Sequence, residues 1–208
     1  MTTGLVRGDD GVKRCWWSAQ PEIYQRYHDT EWGMPTADDV RLFEKLCLEG
    51  FQAGLSWLTI LNKRARFREV FSGFEPARVA AFGERDITRL LKDPGIVRHR
   101  AKIEAAISNA RCVPAISKEH GSLARFIWQF EPKASERPKE LTREALVQLT
   151  ETPSARALSK ALRGYGFRFI GPTTAYAFMQ SVGLVNDHLK GCPARSRCQA
   201  ARRAFERP

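Results

Sequence analysis

The 208-residue chain contains no apolar run of the ~18 residues that a membrane-spanning helix requires. Residues 1–13 hold no apolar stretch of the kind a secretory leader carries, so a cytoplasmic location is expected. Cysteine is sparse and odd in number, five in all, which argues against a disulfide framework and for reduced thiols or metal ligands. Sustained alternation of β-branched and polar residues is missing, which points away from sheet. Internal repeats and low-complexity tracts are missing too. Hydrophobic residues at 43% and charged residues at 27% exclude a disordered or fibrous chain. The length fits one domain, or two small ones sharing a core.

Positive charge is what the chain has in excess: 34 Lys+Arg against 23 Asp+Glu, or +11. That sign suits a polyanion, most simply nucleic acid, although charge alone does not select one. Residues 189–208 hold six basic side chains against Glu206 and read as a solvated basic tail. Two other clusters stand out. One is Arg98, Arg100 and Lys102 beside His99; the other is Lys160, Arg163 and Arg168, interleaved with Tyr165, Phe167 and Phe169, and both are candidates to hold a DNA backbone.

The hydrophobic rhythm is helical throughout, so the expected fold class is all-α. Thr36 with Asp39 reads as a capping box, ahead of Val40, Phe43, Leu46 and Cys47 at helical spacing. Further helices are expected over 55–71, 86–92, 97–112, 154–163 and 173–182. Pro76 opens a short one, and Ser122 caps another that reaches residue 130. Residues 131–140, rich in Pro, Lys and Glu, read as a surface loop.

Between the last two helices runs Gly164-Tyr165-Gly166-Phe167-Arg168-Phe169-Ile170-Gly171-Pro172-Thr173-Thr174-Ala175. Gly171 is expected to take a positive φ, and Pro172 suits the first helical position. The free N–H groups there would favour a phosphate, with Arg168 and Lys160 to neutralise its neighbours. The segment resembles the helix-hairpin-helix element of DNA repair proteins. The alternative is a glycine-rich turn between two packed helices.

Two short pairs, Cys15 with His28 and His188 with Cys192, lie at opposite ends of the chain. Two thiolates and two imidazoles would make a closed tetrahedral zinc set and staple the termini together. The alternative is a polar His188 and a buried thiol at Cys15. The first sixty residues also hold Trp16, Trp17, Tyr24, Tyr27, Trp32 and Trp57, four of the five tryptophans and two of the four tyrosines. Such aromatics are ordinarily core. The same region has Glu49 in a mostly apolar setting, where burial costs energy unless the carboxylate finds a partner. An aromatic pocket with one carboxylate suits a flat cationic or hydrogen-bonding ligand such as a flipped base.

Four stretches then converge: Tyr27-His28-Asp29-Thr30-Glu31-Trp32-Gly33; Leu48-Glu49-Gly50 with Gln52-Ala53-Gly54-Leu55-Ser56-Trp57; Gly95-Ile96-Val97-Arg98-His99-Arg100-Ala101-Lys102-Ile103; and Val185-Asn186-Asp187-His188. Together they resemble the DNA-3-methyladenine glycosylase I family, over about residues 14–192. The resemblance implies a single all-helical domain over 14–192, of the helix-hairpin-helix glycosylase type, with the hairpin element at about 155–183. Residues 1–13 would be a flexible extension and 193–208 a basic tail. It implies one structural zinc on Cys15, His28, His188 and Cys192. Glu49 matches the carboxylate that hydrogen-bonds the base and is the expected catalytic residue. Tyr27 and Trp57 match the aromatics that bind and stack it, with Trp17, Tyr24 and Trp32 at flanking positions. Gln52, Gly54 and Leu55 match the segment near the gap left in DNA, and Gly166, Arg168, Gly171 and Thr173 the phosphate-binding element. The segment 131–152 shows little resemblance and carries no expected function.

The implied activity is hydrolysis of the N-glycosidic bond of 3-methyladenine flipped out of alkylated duplex DNA. It would leave an abasic site and free 3-methyladenine, with the protein acting as a monomer. Asp187 ranks a distant second to Glu49, because it adjoins the ligand His188. The matched pocket segments contain no lysine to act as a Schiff-base nucleophile, so no strand cleavage is expected. Two other readings are a non-catalytic helix-hairpin-helix DNA-binding module with a structural zinc, and a zinc hydrolase with three protein ligands and an open position.

Overall fold

A computed structural model describes residues 4–138 and 140–208. After a hairpin of β1 (Leu5–Arg7) and β2 (Lys13–Cys15), helices carry the chain: α1 (Glu22–Thr30), α2 (Asp39–Gln52), α3 (Trp57–Val70), α4 (Pro76–Ala80), α5 (Glu84–Lys92), α6 (Arg100–His120), α7 (Leu123–Trp128), α8 (Arg143–Gln148), α9 (Pro153–Gly164), α10 (Pro172–Ser181) and α11 (Pro193–Ala204). Side chains cap five of the eleven starts. Asp38 accepts from the Arg41 N–H at 2.8 Å to open α2, so the cap lies between the expected Thr36 and Asp39. Ser56, Ser122, Thr142 and Thr152 cap α3, α7, α8 and α9 in the same way.

α2 is the axis of the fold. Every residue from position 42 to 51 is buried, including Glu44, Lys45 and Glu49. It packs against α3, α6, α7 and α10, while α9 and α10 pack as an antiparallel-looking pair across the 165–171 turn. α6 runs eight residues beyond its expected end, through Pro114, because Val113 and Ile116 continue its buried face. Packing there outweighs the missing proline N–H.

Residues 5–15 are structured rather than a flexible extension: Leu5 pairs with Cys15 and Arg7 with Lys13 in an antiparallel ladder. Residues 1–3 lie outside the described part. Arg14, only 4% exposed, bridges Asp10 and Asp29 at 2.7 Å each. The basic tail is likewise no free arm. It forms α11, with Ala194 and Cys198 buried, and part of its charge is paired within the molecule. Arg195 donates to the His188 carbonyl at 2.6 Å, and Arg202 and Arg207 both clasp Glu131. The cluster around His99 also differs from expectation. Lys102 is buried and donates to the Phe51 and Ala53 carbonyls, closing the C-terminus of α2. Arg100 pairs with Glu84 and Glu104. Of the three, Arg98 alone stays exposed with no recorded ion pair among the described residues.

Candidate functional site

The aromatics of the first sixty residues meet around a cavity of about 360 Å³. Tyr24 and Tyr27 project from one face of α1, three residues apart. Trp17 comes from the 3-10 turn Trp16–Ser18, Trp32 from the loop after α1, and Trp57 from the first position of α3. Their rings form a continuous wall: Trp17 meets Tyr24 edge-on at 5.7 Å and Trp32 at 5.0 Å, and Tyr27 tilts on Trp57 at 5.4 Å. All five line the cavity, together with Glu49 and Gln52 of α2 and Thr173 of α10. Sequence reasoning missed several walls. Leu146, Leu149 and Thr150 come from the segment expected to have no function, and Tyr176 and Gln180 from the far side of α10. The signal for α10 was present, since Thr173, Tyr176, Ala177 and Gln180 fall at helical spacing.

Glu49 is 5% exposed at the base of this wall. Burial pushes its carboxyl up to about 7, against the pull of Lys45 one turn earlier and the Ser181 hydroxyl. The site therefore holds a carboxylate that titrates near neutrality. Tyr27 is more deeply buried, and burial with the nearby Glu49 drives its phenol well above the ordinary value. It stays a neutral O–H. The Trp57 indole N–H is enclosed with no acceptor, so a ligand offering one would relieve a buried unpaired donor.

Cys15, His28, His188 and Cys192 lie together, all buried, with donor atoms within 4.8 Å of one another. Bonds of about 2.0–2.3 Å to a tetrahedral ion place such donors about 3.4–3.8 Å apart. The separations here match: 3.1 Å between His188 Nδ1 and His28 Nε2, 3.5 Å from Cys192 Sγ to His28 Nε2, and 3.8 and 3.9 Å from the two sulfurs to His188 Nδ1. The outer ring nitrogens are engaged, His28 Nδ1 with Asp29 at 2.8 Å and His188 Nε2 with the Trp32 carbonyl at 2.9 Å. These acceptors assign the ring protons outward, so two bare nitrogens face each other. Such lone pairs repel unless a cation lies between them. The residues thus fit a divalent metal. The set also backs the pocket, because Trp17 packs on His28 at 5.3 Å and Trp32 on His188 at 4.7 Å.

The expected DNA contacts divide. Gly54, with φ +78°, and Leu55, 42% exposed, form the turn between the lining residues Gln52 and Trp57. Gly166, Arg168 and Gly171 lie on the turn between α9 and α10, with Arg168 exposed. The backbone solution there differs from expectation. Gly171 has φ −72° and is the extended N-cap of α10, while Gly166 at +99° and Phe169 at +56° take the left-handed region. A positive φ at Phe169 is costly. It is held by Asn109, whose amide spans the Arg168 N–H and carbonyl at 2.8 and 3.1 Å, and by Ser159, which donates to the Ile170 carbonyl at 2.6 Å.

Asp187 is 1% exposed and receives three donors: Arg137, the Tyr176 hydroxyl at 2.5 Å and the Gln180 amide at 2.8 Å. Arg137 comes from the expected surface loop. Asp187 lies behind two pocket-lining side chains and orients them. Asp187→Asn is expected to cost on the order of 3 kcal/mol by leaving the guanidinium without its countercharge. Chemical denaturation measures that loss, and the acid limb of any activity profile should stay in place.

The match to known proteins covers most of this architecture, from the end of the β1–β2 hairpin to the start of α11. The family model for methyladenine glycosylase matches residues 16–196. The DNA-3-methyladenine glycosylase 1 of Escherichia coli (strain K12) is 46% identical over 182 residues, 87% of this chain and 96% of that protein. The DNA-3-methyladenine glycosylase of Haemophilus influenzae is 46% identical over 186 residues, covering 88% and 98%. The solved structure of the Staphylococcus aureus 3-methyladenine DNA glycosylase I, which concerns recognition of 3-methyladenine, aligns with a TM-score of 0.79 at 41% identity, covering 88% of this chain and 96% of that one. Since the match takes in every residue lining the pocket and three of the four metal-ligand candidates, with Cys15 one residue outside it, the chain belongs to the methyladenine glycosylase family.

Proposed function

We propose that the protein is a DNA glycosylase that accepts 3-methyladenine flipped from alkylated duplex DNA and hydrolyses its N-glycosidic bond. The observation that carries this reading is a single buried carboxylate, Glu49, set in an aromatic wall around a cavity sized for one base. Methylation at N3 leaves the attached base cationic, so it departs as a neutral molecule and needs no proton from the enzyme. The electron pair of the N9–C1′ bond goes to the base, a water oxygen adds to C1′, and the released proton passes to solvent. Tyr27 and Trp57 stack the base, an interaction worth about 1–3 kcal/mol. Glu49 as a carboxylate favours a cationic base over neutral adenine and accepts from the base edge. The idle Trp57 N–H is available to an acceptor on the base.

Zinc is the ion that suits two thiolates and two imidazoles, held by Cys15, His28, His188 and Cys192. Four protein donors leave no position for water, so its contribution is structural, and a zinc hydrolase needs a donor set of a different kind. α9 and α10 with their turn serve as a helix-hairpin-helix element. The α10 N-terminus and Arg168 meet phosphate, while Gln52, Gly54 and Leu55 enter the gap in the duplex. Among the described residues no helix is long and apolar enough to cross a membrane.

Incubation with N-methylated duplex DNA, followed by chromatography of the released bases, should show 3-methyladenine and no strand scission. A folded, zinc-loaded sample that releases none would overturn the activity.

A further inference from the structure

Lys45 is a buried cation that the reaction described above does not use. It sits on α2 one turn before Glu49, so both side chains leave the same face of the helix. It is 5% exposed, and its Nζ has no hydrogen-bond partner. The ammonium lies 4.5 Å from the centre of the Tyr27 ring and 5.6 Å from that of Trp57, and it is not among the groups lining the cavity. Its nearest carboxylate, Glu31 at 3.8 Å, is already gripped by both Arg64 nitrogens at 2.6 and 2.8 Å. Glu44 is engaged by Arg68 at 2.9 Å. The charged and titratable groups facing Lys45 are therefore Glu31 from the loop after α1, Arg64 from α3, Tyr27 from α1, and Glu44 and Glu49 from α2 itself. Of the carboxylates, Glu49 alone has no guanidinium of its own.

A buried ammonium without a hydrogen bond is expensive, and the fold keeps it behind the two rings that hold the base. We propose that Lys45 is a positioning residue that acts through Glu49: its charge, buried one turn away on the same helix face, favours the ionised Glu49 carboxylate while the pocket is empty. This rests on the reading of Glu49 as the base-binding carboxylate. The opposing pulls agree with it, since burial holds the Lys45 amine down to about 8 while Glu31 and, more weakly, Glu49 draw it back up, and Lys45 draws Glu49 down.

The test is the pH profile of 3-methyladenine release for the parent, Lys45→Met, Lys45→Gln, Lys45→Arg and Glu49→Gln. Removing the cation should move the acid limb upward by about one pH unit in both neutral variants. Release at pH 6 then falls about tenfold and recovers as the pH rises. Lys45→Arg should keep the parental limb. Thermal unfolding shows whether each neutral variant folds, since the ion pair with Glu31 is lost along with the charge; either neutral variant that folds suffices for the test. An unmoved limb in the neutral variants, or an Arg variant that shifts as they do, overturns the role of Lys45. If that happens while Glu49→Gln has lost release, the reading of Glu49 survives. Parental release by Glu49→Gln overturns both.

Discussion

Glu49→Gln should lower the release of 3-methyladenine about 100-fold at pH 8 while duplex affinity stays within about twofold. A hundredfold corresponds to about 2.7 kcal/mol, the scale of a charge-assisted hydrogen bond in an enclosed site. Glutamine keeps the shape and one acceptor but removes the charge that separates a cationic base from neutral adenine. The proposed duplex contacts lie elsewhere, on the exposed turns around Leu55 and Arg168, so binding and release should part company. The same substitution should stabilise the fold. The Glu49 carboxyl is raised from its ordinary 4.5 to about 7 in the folded protein. Below pH 4.5 both states are protonated and the residue costs nothing. Between 4.5 and 7 the unfolded chain ionises first, so the parent loses stability as the pH rises, on the order of 3 kcal/mol in all. Glu49→Gln has no such loss. Its unfolding temperature should exceed the parental value at pH 8, and the difference should vanish near pH 4.5. Paired assays of released base and thermal unfolding over that range check both statements. Unchanged release would remove Glu49 from the site.

Loss of the metal set should have the larger effect on stability. Cys15→Ser is expected to reduce bound zinc from about one ion per chain to a small fraction, by elemental analysis, and to destabilise the fold by on the order of 4 kcal/mol or more. The reason is topological. Cys15 ends β2, His28 lies in α1, and His188 and Cys192 flank the turn into α11, so one ion held by all four would join both ends of the chain. Without it, two thiols and two imidazole nitrogens remain buried and face one another. Exhaustive chelation of the parent should reproduce the loss. The effect should also reach the pocket, because Trp17 and Trp32 lean on the two histidines. Tryptophan emission and affinity for free 3-methyladenine should change together. A variant that keeps parental stability and pocket affinity would refute this coupling.

Much of the molecule was legible in the order of its residues. Local rules sufficed for the helices that have a capping side chain and a repeating apolar face, such as α3 behind Ser56 and α7 behind Ser122. The pocket aromatics and Glu49 were legible because the long motif that contains them has one reading. The metal candidates were legible because their chemistry is shared by few residue types, and the structure brings all four together. Charge was misread wherever its partner is distant in sequence. Lys102 looked like a phosphate contact until the end of α2, about fifty residues earlier, supplied two carbonyls. The tail looked solvated until Glu131 appeared beneath Arg202 and Arg207. Arg137 and the α8 wall lay in a segment without a motif, so only their meeting with Asp187 and the cavity gave them a place.

The division follows from the range of the forces. Helix starts, helical faces and a ligand's donor chemistry depend on neighbours within a turn or two, and residue order carries them. Which cation meets which carboxylate depends on how helices far apart in sequence pack, and so does the burial that moves a pKa. The chain order therefore established a helical protein with an aromatic pocket, one carboxylate and a Cys₂His₂ set. Tertiary packing alone decided that Glu49 titrates near 7, that Asp187 is clamped behind the pocket wall, and that Lys45, one turn before Glu49, is buried without a hydrogen bond.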